Sequence, residues 1–433
     1  MRFLQFLVIF WLGTHAQWAL AFLPIQQWQT ANGVRVYFVE NHDLPILDLS
    51  IEFPAGSSTD TAATSGRARL VQRLMGMGAG GLSEDQIAET LADVGAELGG
   101  TFDLDRAGLS LRTLSHQQER IRALNVLAQI IQRPEFSEQI LERERTRIIS
   151  ALKEADTKPE VIADRTLMKL LYGKHPYGLR ESGEPDTLTM LKRQDLVDFY
   201  RTHYTAGNAV VAIIGDIKRD EANHIAEMLT ENLPSGKTNN SLPAVEKPEP
   251  ITRKIAHPAT QSHIQLAYPG LSRKDPDYFP LLVGNYILGG GGFVSRLMKT
   301  IRETRGLAYS VYSAFIPYRE KGPFEIGLQT KKEQAEQALQ LTRKTLSDFV
   351  EQGPTKKELQ AARQNIVGGF PLRIDSNRKI LGYLGVIGFY DLPLTYLEDY
   401  VKAVEKVTVA QIKEAFQRRI DPAGMVTVVV GAE

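Results

Sequence analysis

Val210-Val211-Ala212-Ile213-Ile214-Gly215 and Val426-Thr427-Val428-Val429-Val430-Gly431 are two apolar runs of one length, each closed by glycine and displaced by 216 positions. The same displacement sets Leu196, Tyr200 and Tyr204 on Ile412, Phe416 and Ile420. A helix–turn–strand unit that recurs in one register implies internal duplication. The expected fold class is therefore α+β, with two related halves that are each a β-sheet packed with helices.

The residues around these runs support that expectation. Residues 34–39 and 46–53 read as strands. In the second, Leu47, Leu49, Ile51 and Phe53 alternate with Asp48, Ser50 and Glu52, the pattern of a half-buried antiparallel strand. Helices are expected from about Gly66, after Ser83 with its capping-box Gln86, and over 117–131, 136–157, 161–172 and 193–203, followed by a strand at 208–214. The regular βαβ beat of a parallel sheet is missing. Residues 233–250 carry four prolines and almost no periodicity, which marks a linker between an N-terminal half, 22–232, and a C-terminal half, 251–433.

At 433 residues the chain is long enough for several domains, and 43% apolar with 24% charged residues is ordinary globular composition. Lys+Arg and Asp+Glu each total 51, so no net charge points to nucleic acid or to an anionic membrane. The absence of cysteine excludes disulfides, thiolate zinc sites, iron–sulfur clusters and a cysteine nucleophile. Met1-Arg2, the apolar run Phe3 to Leu12 and the small-x-small pattern Ala19-Leu20-Ala21 read as a secretory signal peptide, residues 1–21. That run is shorter than the ~20 residues of a spanning helix. A periplasmic or secreted protein is expected, with no membrane contact after the leader is removed.

Zinc hydrolysis needs two histidines one helical turn apart, a third ligand and an acid/base carboxylate. The histidines stand at 15, 42, 116, 175, 203, 224, 257 and 263, and no two are three or four residues apart. There is no Gly-x-Ser-x-Gly elbow and no Ser-x-x-Lys motif. Gly289-Gly290-Gly291-Gly292 lacks the Gly-Lys-Ser/Thr of a phosphate loop, but it gives a backbone that can flex or admit close approach of another chain. Ser295 to Arg305 is helical in pattern and is broken by Gly306-Leu307 before a strand at 308–312. A helix end feeding a strand can bring Arg302 and Tyr309 together on one side of a cavity. Both are hydrogen-bond donors suited to a developing oxyanion, although a surface Arg and a strand Tyr also commonly serve structure alone.

Several motifs together resemble the inverzincin family: pitrilysin, insulysin, the mitochondrial processing peptidase and small bacterial two-subunit peptidases. They are Pro54-Ala55-Gly56-Ser57-Ser58, His175-Pro176-Tyr177-Gly178, Leu288 to Gly292 with Ser295-Arg296-Leu297, and Arg302-Glu303-x-x-Gly306-Leu307-Ala308-Tyr309. The resemblance covers nearly all the mature chain and implies a clam-like peptidase chamber. It also implies that Arg302 and Tyr309 are catalytic donors reaching toward substrate at a zinc held by an N-terminal half, with Gly289, Gly290, Gly291 and Gly292 bordering the peptide.

The chain departs from the family at the metal. Where the family has His-x-x-Glu-His, it reads Arg69-Leu70-Val71-Gln72-Arg73, and the third-ligand position falls on Ala151. A guanidinium stays protonated and has no lone pair to give a metal, and Gln72 cannot take a proton from water. No cofactor is expected in this chain. The resemblance then implies the non-zinc-binding subunit of a heterodimeric zinc metalloendopeptidase, inactive alone, whose homologous partner carries the zinc and whose substrates are peptides. The alternatives are a catalytically inert structural homologue and a module that captures extended peptides on a sheet edge.

Overall fold

The computed structural model describes residues 24–236 and 241–431, so the expected leader at 1–21 lies outside the described residues. Six strands form the first sheet: β1 (Gln26–Gln29), β2 (Arg35–Glu40), β3 (Ile46–Phe53), β4 (Glu97–Phe102), β5 (Ala107–Leu114) and β6 (Val210–Gly215), in the order β1-β2-β6-β3-β5-β4. Five form the second: β7 (Ile251–Ile255), β8 (Gln261–Pro269), β9 (Ala308–Phe315), β10 (Pro323–Lys331) and β11 (Val426–Val430), in the order β7-β11-β8-β10-β9. Without β1 the two orders are the same. In each sheet one pair is parallel, β2 with β6 and β7 with β11, and the others are antiparallel. Arg35 faces Val210 and Ile251 faces Val426, each pair related by the displacement read from the sequence.

The helices repeat as well. Gln117–Gln132, Glu138–Ala155, Pro159–Tyr172 and Arg193–His203 in the first half are matched by Ala335–Gln352, Lys356–Gly369, Asn377–Tyr390 and Val409–Arg419 in the second. The third helix of each set crosses over. Pro159–Tyr172 packs on β8 and β11, and Asn377–Tyr390 packs on β2, β3 and β6. Each half thus lends one helix to the other half's sheet.

This exchange explains why β6 and β11 read as continuous apolar runs, because a strand covered on both faces needs no polar alternation. Val211 and Ile213 face the first core, whereas Ala212 and Ile214 pack with Leu381 and Leu384 of the crossing helix. Val426, Val428 and Val430 pack with Ala163, Leu167 and Leu171 in the reciprocal arrangement. The half-buried expectation for β3 is corrected for the same reason. Asp48, Ser50 and Glu52 are all buried, and Arg112 and Arg106 pair with Asp48 and Glu52 at 2.8 Å. Of the linker, residues 241–250 form no regular element, yet Leu242 and Val245 pack on the cluster around the helix Pro159–Tyr172.

Close approach of the crossing helix depends on two glycines. A Cβ at Gly385 would sit 2.5 Å from Glu52 Oε1, and one at Gly388 would sit 2.6 Å from Val210 Cγ1. Gly382 on the same helix has nothing within 4 Å. Alanine is the better helix former by roughly 1 kcal/mol, so Gly382→Ala is expected to stabilise by up to about that amount. Gly388→Ala is expected to destabilise by about 1–2 kcal/mol, because overpacking outweighs the propensity gain. Thermal unfolding of the two variants checks these opposite signs.

Candidate functional site

The helix carrying the altered metal motif, Arg67–Leu74, begins at Gly66 with φ of 93°, a backbone state that favours glycine. Buried Asp60 caps it by accepting from the Gly66 and Ala68 amides at 3.0 and 3.2 Å, and burial pushes the Asp60 carboxyl up to about 7. One turn on, Arg69 lies over the Phe102 ring at 4.7 Å. Gln72 Nε2 approaches the Gly108 carbonyl at 3.4 Å. Arg73 donates to Glu144 through Nε at 2.8 Å and lies within 2.6 Å of it through Nη2.

Glu144, fully buried, also accepts from Arg143 Nε at 3.1 Å and Arg147 Nη1 at 3.0 Å. Burial alone would raise this carboxyl, but the hydrogen bonds from Arg73, Arg147 and Arg143 outweigh it and hold the group below its usual range. A guanidinium clamped by a carboxylate therefore stands where the motif would place a metal ligand. These residues do not fit zinc. Ala151 is exposed two turns beyond Glu144, and among the described residues no cluster of three or more His, Asp or Glu side chains could hold a metal ion. The Glu144 partnership was missed in the sequence, although Glu144 lies in the same Glu-Arg-Glu-Arg run one heptad before Ala151.

The C-terminal half brings Arg302 and Tyr309 together. The helical stretch expected over 295–305 is corrected: its core, Met298–Glu303, is wound as a π-helical turn, and a second such turn spans Tyr286–Gly290. Such wide turns recur at functional sites because they displace side chains from the α-helical register. β9 then bulges, because Ala308 pairs with Thr330 and Val311 with Leu328, leaving Tyr309 and Ser310 opposite Gln329 alone. The bulge accompanies a Tyr309 side chain that is 80% exposed. Arg302 lies between two rings, 4.7 Å from the Phe293 centroid and 4.8 Å from that of Tyr309. Neither Arg302 nor Tyr309 hydrogen-bonds through its side chain to another described residue, so the rings position a cation whose donors stay free.

The four glycines divide by role. Gly289 is buried where a Cβ would meet Ser313 Oγ at 2.4 Å, and at Gly291 a Cβ would meet the Tyr286 carbonyl at 2.6 Å. For these two, the close approach allowed by the sequence is made by the chain itself. Gly290 is exposed but has Asn285 Nδ2 at 2.7 Å from a Cβ, and Gly292, at φ of 60°, has open space around it.

A cavity of about 980 Å³ lies between the halves, walled by Asp164, Met168, Tyr177, Glu181, Tyr318 and Glu325 among others. Arg302 and Tyr309 are not among its lining residues. Burial, with Asp164 nearby, pushes Glu325 up to about 7. A carboxyl raised in the folded state contributes stability that is full below its unfolded value and is lost as pH rises through about 7. Glu325→Gln is therefore expected to leave stability nearly unchanged at pH 4 and to raise it by about 1–3 kcal/mol at pH 8, read from urea unfolding at both pH values.

Comparison with known proteins adds a family to this geometry. Residues 35–182 match the family model described as insulinase (peptidase family M16), and residues 191–366 match the peptidase M16 inactive domain. A crystal structure of a peptidase M16 inactive domain from Pseudomonas fluorescens superposes with a TM-score of 0.92 at 37% identity, covering 95% of this chain and 98% of that one. A non-peptidase homologue of Helicobacter pylori, YmxG, is 26% identical over 414 residues, 95% of this chain and 94% of its own. An uncharacterised zinc protease of Bacillus subtilis, also YmxG, is 26% identical over 354 residues, 81% of this chain and 85% of its own.

Proposed function

The chain belongs to the M16 peptidase family, and we propose that it is the non-zinc-binding subunit of a two-chain peptidase that degrades peptides. One observation carries this reading. The hydrolytic motif is replaced by Arg69, Gln72 and Arg73, while Arg302 and Tyr309 stand together with uncommitted donors. A chain that had become only a scaffold has no use for that pair.

In this reading a homologous zinc-bearing partner supplies the hydrolytic centre. Arg302 and Tyr309 hydrogen-bond to the oxygen of the scissile carbonyl as it gains charge, and Gly290 and Gly292 lie along the peptide's path. The chain works after removal of residues 1–21, in the periplasm or outside the cell. The name of the Helicobacter relative, a non-peptidase homologue, favours the second reading, an inert structural or peptide-binding protein.

Reconstitution separates the two. The purified chain alone is expected to contain no stoichiometric zinc and to cleave no peptide, whereas its mixture with a zinc-bearing homologue from the same organism forms a stable complex that does. A complex that forms but stays inert would leave the scaffold reading standing. Chelator-sensitive cleavage by this chain alone would overturn both.

A further inference from the structure

The surface around the lost metal motif carries more cation than its own carboxylates neutralise. Arg73, Arg143 and Arg147 converge on Glu144 from the helices Arg67–Leu74 and Glu138–Ala155, with Glu84 on Arg143, and Arg69 stands one helical turn before Arg73. Glu144 already accepts four guanidinium contacts, from Arg73 twice and from Arg143 and Arg147 once each, so it has no further lone pairs to offer. Arg143 also pairs with Glu84 at 2.7 Å. Arg69 has no ion pair among the described residues and is held only by the Phe102 ring. Nearby, burial and then Asp103 push the Glu181 carboxyl up, and Arg69 only partly draws it back. Gln72 and Ala151 restore no negative charge.

Arg69 and Arg73 are partly buried and Arg143 and Arg147 exposed; such a surplus of guanidinium is a receptor for an anion, and the planar fork of arginine suits a carboxylate. The neighbouring strand indicates how that carboxylate is carried. β4, which ends at Phe102 under Arg69, pairs only with β5, and Glu97, Gly99 and Gly100 along it are exposed. A sheet edge with open main-chain groups, beside an anion receptor, fits a peptide.

We propose that this arginine cluster binds the C-terminal carboxylate of a peptide. Arg69 and the guanidinium nitrogens of Arg73 and Arg147 not committed to Glu144 are the donors. Loss of the metal motif has thus exchanged a hydrolytic centre for a carboxylate anchor. The proposal concerns the chain by itself and is independent of any zinc-bearing partner.

Calorimetric titration of the full mature chain tests it, using a ten-residue Ala/Ser/Val peptide with a free C-terminal carboxylate and the same peptide as its C-terminal amide. The free acid is expected to bind at least ~10-fold more tightly than the amide, as a charge-assisted pair lost to a neutral group requires. Arg69→Gln is expected to abolish that preference. Ala151→Glu, which places a competing carboxylate on the Glu144 face of its helix, is expected to abolish it without lowering the thermal midpoint. Equal binding of acid and amide, no binding of the acid at millimolar concentration, or a preference intact in both variants would overturn the proposal. Binding of inorganic phosphate without binding of the free-acid peptide would also overturn it, leaving a site for small inorganic anions only.

Discussion

Arg302→Ala and Tyr309→Phe, each in the reconstituted pair, are expected to lower turnover by about 100- to 1000-fold while leaving complex formation intact, the usual loss when one oxyanion donor is removed. The expectation rests on how the two groups are held. Arg302 lies between the Phe293 and Tyr309 rings, and both side chains are free of hydrogen bonds to other described residues. Tyr309→Phe keeps the ring that supports the guanidinium and removes only the hydroxyl, so a loss in that variant belongs to the donor. Stabilisation of charge that develops during the reaction falls mainly on kcat, with KM little changed. Steady-state rates with a quenched-fluorescent peptide, beside gel filtration of the complex, check this. Unchanged kcat in both variants would remove the donor assignment.

The duplication was open to a sequence reader because the repeated units are local: a helix, a turn and a strand in one register. The crossing helices were not. Pro159–Tyr172 and Asn377–Tyr390 carry ordinary apolar residues that would suit either sheet, and the choice is made by fit. Gly385 and Gly388 let one helix settle on Glu52 and Val210, while Ala163 lets the other settle near β11. That unseen layer is also why the alternation in β3 read as half-exposed, since nothing local announces that a distant helix will cover Asp48 and Glu52 with their arginine partners. The site was legible in its residue types but not in its geometry. Apolar spacing does not distinguish a π-helical turn from an α-helical one, and the bulge that accompanies the exposed Tyr309 depends on pairing with β10. At the degenerate centre, the loss of ligands is legible from residue types alone, whereas the clamp of Arg73 on Glu144 requires two helices to meet.

Asp105→Ala is expected to cost about 3–5 kcal/mol, the largest stability effect expected of any single change at the junction of the halves. Asp105, between β4 and β5, is 4% exposed. It accepts from Tyr177 Oη at 2.7 Å, from Tyr390 Oη on the crossing helix at 2.9 Å, and from the Arg319 amide of the second half at 2.6 Å. Tyr177 Oη in turn accepts from the Glu320 amide at 3.1 Å. Alanine would leave three donors unpaired in a buried seam, at about 1–3 kcal/mol each with less than full additivity. Burial raises the Asp105 carboxyl and the hydrogen bonds only partly offset it, so the folded state disfavours the charged form relative to the unfolded chain. Asp105→Asn, which keeps one acceptor oxygen and no charge, should therefore cost less than alanine. Tyr177→Phe and Tyr390→Phe should each cost about 1–2 kcal/mol, because each removes one donor of a shared acceptor. The loss should also be local. Amide exchange at Arg319 and Glu320 is expected to speed up in the alanine variant before the cores of the two sheets loosen. Protection at those two amides that is unchanged, with a midpoint like that of the parent chain, would mean that the halves are joined by apolar contact and crossing helices alone.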